Sequence, residues 1–113
     1  MTGMRRKVQC QIVVTTLSGA RRAKILARRL VESRLATCVQ LSPIHSVYRW
    51  KNALETASEF RLEAKTAAPR VPALIAFIRQ HHPYELPEII THPIAGGTPE
   101  YLRWIAQESL PPL

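Results

Sequence analysis

The chain has 113 residues, 46% of them hydrophobic, and 16 Lys and Arg against 8 Asp and Glu give it a formal charge of +8. This length predicts a single globular domain over residues 1–113, with a core of about 8–107 and flexible ends, and it excludes two independent cores. The sequence lacks an apolar run long enough for a signal peptide or a membrane span, and two cysteines are too few for a disulfide scaffold. We therefore expect a cytoplasmic protein without a membrane partner.

A strand and then a helix begin the predicted fold. Apolar residues alternate from Val8 to Val14, and from Ser18, the expected N-cap, the spacing becomes that of a helix that ends at about Leu35. The basic side chains of this helix lie largely opposite its apolar stripe, as on an ordinary solvated face, and no DNA-binding motif accompanies them. Nucleic acid is therefore not expected as a partner. These basic residues are Arg21, Arg22, Lys24, Arg28 and Arg29.

A long β-hairpin is predicted next. "LATCVQL" and "HSVYRW" are strand-like, with Pro43 as a break or bend between them, and "SEFRLEAKT" forms the returning strand. Asn52 tolerates the positive φ of a tight turn. The hairpin is longer than a small sheet needs and carries Tyr48 and Trp50 near its tip, so we predict a homo-oligomer that covers them. The alternative is that Trp50 folds back onto its own chain.

The second half of the chain repeats the helix and strand. Pro69 and Pro72 suit the first turn of a helix, which Pro83 ends, and "EIITHPI" is the fourth strand. Thr98 then caps a carboxy-terminal helix. The order is βαββαβ plus one helix, which predicts an α+β, ferredoxin-like sandwich in which two helices cover one face of an antiparallel sheet and strand three separates strands one and two.

Two adjacent histidines stand at the end of the second helix, in "HHPYELPEII". Because Pro83 pushes His82 towards extended geometry, the rings of His81 and His82 could converge on one metal ion. Two nitrogens alone make a weak site, so a thiolate, a carboxylate or a group from another subunit would have to complete it. The alternative is that both rings bind free carbonyl groups at the helix end, with Tyr84 packed beneath them.

Five segments of the chain occur together, in the same order and spacing, in a known family: "VVTT", "LVESRLATCVQLSPIHSVYRW", "FRLEAKT", "HHPYELPEII" and "PEYLRWI". On these segments, from about Val8 to Gln107, the chain resembles the CutA family of divalent-cation tolerance proteins. The resemblance implies a trimer of ferredoxin-like subunits, similar to the PII signalling proteins, whose hairpins pair between subunits.

The resemblance also implies binding of copper or another divalent metal. By position, the candidate ligands are His81, His82 and Cys38. The chain departs from the pattern at Thr15, where some members have cysteine, and at Asn52, where glycine is usual. The first departure removes a soft ligand from the first strand, and the second leaves the turn unchanged because asparagine also adopts positive φ.

Two functions therefore compete at the level of sequence. The first is a cytoplasmic homotrimer that binds divalent metal, copper first, and acts in metal tolerance or response. The second is a PII-like signalling or scaffold module whose inter-subunit cleft binds a small molecule or a partner protein. No nucleophile, phosphate-loop, dinucleotide or zinc-protease motif is present, so we do not expect an enzyme. The residues assigned to the cleft or trimer interface are Tyr48, Trp50, Lys65, Tyr84 and Glu88.

Overall fold

The structure, a computed structural model, describes residues 8–111, and most of the ends predicted to be flexible lie outside this range. The predicted order of elements and the predicted strand order, β2-β3-β1-β4 with every pair antiparallel, are both confirmed. None of the helices within residues 8–111 is long and apolar enough to cross a bilayer. The strands are β1 (Cys10–Leu17), β2 (Cys38–Trp50), β3 (Ala53–Ala67) and β4 (Ile89–Pro93), and the helices are α1 (Ala20–Glu32), α2 (Val71–His81) and α3 (Pro99–Ser109).

Helix α1 begins and ends inside its predicted bounds. Gly19, not Ser18, occupies the N-cap position, and its φ of 91° lies in the left-handed region that glycine adopts without strain. At the other end Arg34 takes a φ of 61°, which stops the helix before the predicted boundary at Leu35. The buried Leu35 then packs in the core as the chain turns towards β2.

The β2–β3 hairpin is continuous through Pro43, where the sequence predicts a break or a bend. Pro43 pairs with Phe60, and β2 is an edge strand, where a residue without an N–H can be accommodated. Lys51 and Asn52 form the predicted tight turn, with φ values of 46° and 66°. Pairing of β3 with β1 ends at Phe60, so residues 44–59 project past the sheet as a two-stranded arm, and the molecule measures 60 × 25 × 21 Å. We call these residues the hairpin arm.

The two faces of the sheet are covered differently. Helices α1 and α2 pack on one face and form the main core. On the other face, α3 covers one end, where the Cys10 thiol lies 3.6 Å from the Leu102 carbonyl and Lys65 Nζ lies 3.2 Å from the Tyr101 hydroxyl. Among the core residues are Val13, Leu17, Leu26, Leu30, Leu62, Ala64, Leu74 and Ile78.

Thr15 lies on the helix-covered face with a fully buried side chain. Its hydroxyl has no hydrogen-bond partner in the structure, whereas the hydroxyl of the equally buried Thr66 donates to the Leu35 carbonyl at 2.8 Å. An unpaired buried hydroxyl costs free energy that a bonded one does not. The two threonines are equally buried, and of the two only Thr66 forms a side-chain hydrogen bond in the structure.

We predict that Thr15→Val raises the free energy of unfolding by about 1 kcal/mol and that Thr66→Val lowers it by about 1–3 kcal/mol, because the second change leaves a buried carbonyl unpaired. Urea unfolding of both variants at one protein concentration measures the difference. A loss of stability in Thr15→Val as large as that in Thr66→Val would show that the Thr15 hydroxyl is bonded.

Candidate functional site

The end of α2 places the two adjacent histidines in different environments. His81 is the last helical residue, and His82, the C-cap, has φ −81° and ψ 137°, the extended geometry that Pro83 was predicted to impose. One ring therefore remains on the helix, while the next leaves it and turns towards the sheet.

His81 bonds back to its own helix. Its Nδ1 lies 2.9 Å from the Phe77 carbonyl oxygen, and its ring stacks on the Phe77 ring with 4.2 Å between centroids. A carbonyl oxygen only accepts, so Nδ1 carries a proton, and in the neutral ring Nε2 keeps its lone pair. Because His81 is exposed, this nitrogen is available to a ligand from solvent.

His82 uses both ring nitrogens within the fold. The Tyr84 backbone N–H donates to Nδ1 at 3.1 Å, which requires Nδ1 to be unprotonated. Nε2 then carries the proton and donates to the Thr16 carbonyl at 2.9 Å. Burial lowers the pKa of His82, against smaller opposing contributions from the Thr16 hydrogen bond and from Glu59. The imidazole is thus a neutral bridge between β1 and the loop that precedes β4, with no free lone pair.

Tyr84 extends this bridge to the third strand. Its hydroxyl donates to Glu59 Oε2 at 2.7 Å, and its ring meets the His82 ring edge-on, with 4.8 Å between centroids. The pKa of Tyr84 is raised, first by burial and then by the hydrogen bond to Glu59. The exposed fraction of Glu59 is only 7%, although it lies among alternating charged residues of β3. Glu59 and Thr16 are the members of the site that the sequence analysis did not identify.

The other predicted site residues lie elsewhere in the chain. Tyr48 and Trp50 are in the hairpin arm, and Glu88 is exposed just before β4. Lys65 lies beside α3, and the half-buried Cys38 pairs with it across the strands.

The single chain therefore brings together His82 and Tyr84 but leaves the remaining predicted residues in separate places. Thr16, whose carbonyl accepts from His82, pairs with Arg61 of β3. Cys38 of β2 pairs with Lys65, which lies about 13 Å from Arg61 along β3. Within residues 8–111 no three His, Cys, Asp or Glu side chains are grouped closely enough to hold a metal ion. One chain supplies an incomplete donor set.

Comparison with known proteins identifies a family. A family model described as "CutA1 divalent ion tolerance protein" matches residues 11–108. "Protein CutA" of Mus musculus is 49% identical over 86 residues, which is 75% of this chain and 49% of that protein. The chain thus spans about half the length of this curated relative.

Solved structures are similar over almost the whole fold. CutA from Synechococcus elongatus is 30% identical with a TM-score of 0.88, and the match covers 94% of this chain and 95% of that one. A "PII-like protein CutA" from Nostoc is 31% identical with a TM-score of 0.84, and the match covers 88% of this chain and 97% of that one.

The His82 bridge predicts a pH dependence of stability. Because the pKa of His82 is lowered on folding, below about pH 6.5 the unfolded chain binds a proton that the folded chain does not, so stability falls as the pH falls from 6.5 towards the folded pKa. Chemical unfolding between neutral pH and pH 5 should show this loss, and His82→Gln should reduce the slope. His45→Gln, at an exposed histidine of the hairpin arm, should retain it. Equal slopes in wild type and His82→Gln would contradict the assignment.

Proposed function

The chain belongs to the CutA1 divalent ion tolerance family, and from this premise we propose that it acts as a homotrimer that binds a divalent cation, copper first, through the exposed His81 in a site completed by another subunit. We further propose that it works in the cytoplasm and has no catalytic role. The observation that carries the proposal is the unequal use of the two imidazoles: Nε2 of His81 has no partner within residues 8–111, whereas both ring nitrogens of His82 are hydrogen-bonded.

Chemistry favours His81 as the ligand. A neutral imidazole nitrogen suits copper, nickel and zinc, and the bond from Nδ1 to the Phe77 carbonyl fixes the tautomer and the ring orientation, as carbonyl groups do for metal-bound histidines in general. Binding at His82 would require the loss of the bond from the Tyr84 N–H or of the bond to the Thr16 carbonyl. The proposal therefore keeps one of the two predicted histidines as a direct ligand.

An oligomer is needed to complete such a site. Firm metal sites use three or four protein ligands, and the described part of one chain offers no such group. Cys38 is not near His81 in the same chain, so it could contribute only across an interface. A further subunit can supply the missing donors without any change in this fold.

The hairpin arm supports the same assembly. An isolated two-stranded hairpin is marginally stable in water, yet here it projects past the sheet and exposes apolar side chains. Val47 is 62% exposed and Leu54 is 73% exposed. Edges and patches of this kind are usually covered by a partner, and a second and third copy of the chain provide matching strands. The number three comes from the family resemblance.

A second function is favoured by the carboxylate of Glu59. Glu59, the last residue of the arm, is buried and accepts the Tyr84 hydroxyl on one carboxylate oxygen, while Lys51 Nζ at the arm's turn lies 3.7 Å from Glu85 Oε2 in the loop that carries Tyr84. The arm and the loop are thus in polar contact, and a subunit seated against them would enclose a site for a small molecule or a partner protein. The similarity to a structure described as PII-like supports this alternative.

Competition titrations with calibrated chelators test cation binding. We expect His81→Ala to weaken Cu(II) and Zn(II) binding at least tenfold, since loss of only a supporting partner of a metal ligand already costs about 10–100-fold. His45→Ala is the matched control and should bind as wild type does. Unchanged affinity in His81→Ala would remove His81 from the site, and retention of an organic ligand by metal-free protein would favour the cleft.

Sedimentation tests the assembly with a matched pair of valines. Val47 lies in the hairpin arm, and Val31, 42% exposed, lies on α1. Val47→Lys places a charge in the proposed interface and should shift the protein from trimer towards monomer, while Val31→Lys should leave the trimer intact. The assembly would be contradicted if wild type were a monomer at micromolar concentration. It would also be contradicted if Val47→Lys were a trimer with the same dissociation constant as wild type.

A further inference from the structure

A groove of about 700 Å³ lies away from the histidines, between α3, the start of β1 and the link from β4 to α3. Its volume is within the range of about 300–1,000 Å³ that small-molecule sites occupy. Neither the proposed cation site nor the His82 bridge contributes a residue to it. The groove therefore belongs to a separate part of the molecule.

One face of α3 lines the groove along the length of the helix. Leu102 and Ala106 lie four residues apart on this face, Leu110 lines the groove just past the helix end, and Ile105 on another face is fully buried. The groove-lining part of the helix runs from Pro99 to Gln107, about 12 Å along the helix axis. The helix thus has two apolar faces, and the described chain covers only one of them.

The floor and wall of the groove are also apolar and leave space. Cys10 lies on the floor with its thiol directed to the Leu102 carbonyl, and burial raises the pKa of this thiol, so it stays neutral. Gly96 forms part of the wall, and a Cβ atom there would meet nothing within 4 Å. Space for an apolar group therefore remains beside Gly96.

The charged side chain of Arg103 lies beside this apolar surface. Among residues 8–111, Arg103 is the one charged residue that lines the groove, Gln107 follows it one turn later on the same face, and no acidic residue of this range accompanies them. Arg103 is exposed and makes no ion pair within residues 8–111. A guanidinium binds a carboxylate through two parallel hydrogen bonds, and its positive charge excludes a cationic ligand.

We propose that this groove binds an apolar carboxylate, a molecule of the fatty-acid type. The alkyl chain lies along Leu102, Ala106 and Leu110, over Cys10, and the carboxylate pairs with Arg103 at the mouth. The inference goes beyond cation tolerance and does not depend on His81.

Calorimetric titration of the full chain with decanoate and with uncharged decanol tests the proposal. Decanoate should bind saturably at one site per chain. Arg103→Gln should weaken decanoate about fivefold, the effect of losing one exposed ion pair, and should leave decanol unchanged. Arg29→Gln removes the same charge from the exposed face of α1 and should change neither affinity. Ala106→Phe fills the groove and should abolish binding of both ligands.

Thermal unfolding of each variant shows whether it is folded. If Ala106→Phe does not fold, Arg103→Gln still tests the proposal independently. Absence of saturable decanoate binding to wild type would overturn the proposal. The proposal would also be overturned if a folded Ala106→Phe protein bound decanoate as wild type does. Equal weakening of decanoate binding in Arg29→Gln and Arg103→Gln would overturn it as well. If wild type does not bind decanoate and Ala106→Phe has a changed sedimentation coefficient, a second copy of the chain covers the groove instead.

Discussion

The imidazole of His82 is the constraint on which the rest of the site depends. It accepts the Tyr84 N–H on one side and donates to the Thr16 carbonyl on the other, so it ties the end of α2, the first strand and the loop before β4 into one unit. Tyr84, held by this bridge, reaches Glu59 on the third strand. Both ring nitrogens are thereby committed, one as acceptor and one as donor, which leaves the neighbouring His81 as the imidazole of this pair that can take a ligand. The arrangement also explains why two adjacent histidines in one motif have unequal chemistry.

A chain that offers one free imidazole at the end of α2 and a projecting hairpin is incomplete in two respects. The donor set lacks the further ligands that a firm cation site requires, and the hairpin arm lacks a surface to cover Val47 and Leu54. The proposed assembly with further copies would remove both deficits at once, because it would bury the arm and bring donors of different subunits together. A weakly binding monomer and a functional oligomer are therefore consistent with the same fold. This coupling would make cation affinity depend on protein concentration.

The sequence predicted those features that local rules determine. Turn chemistry predicts the positive φ of Asn52, and proline geometry predicts the helix end before Pro83. The handedness of the connections predicts the strand order, and all three features are confirmed. The pairing of Pro43 is understandable only once β2 is known to be an edge strand. The bond from His82 to Thr16 spans 66 residues and ends on a backbone carbonyl, which carries no signal in the residue type. Glu59 likewise looked like any other charge on a solvated strand face. Long-range polar partners of this kind lie outside what periodicity can determine.

The most direct test of the account is the ¹⁵N imidazole NMR spectrum of the protein before and after addition of Zn(II), which is diamagnetic. We predict a neutral His82 protonated on Nε2 whose resonances do not move, and a His81 protonated on Nδ1 whose Nε2 resonance shifts as zinc binds. A zinc-induced shift at either nitrogen of His82, with His81 unaffected, would contradict the assignment of ligand and bridge.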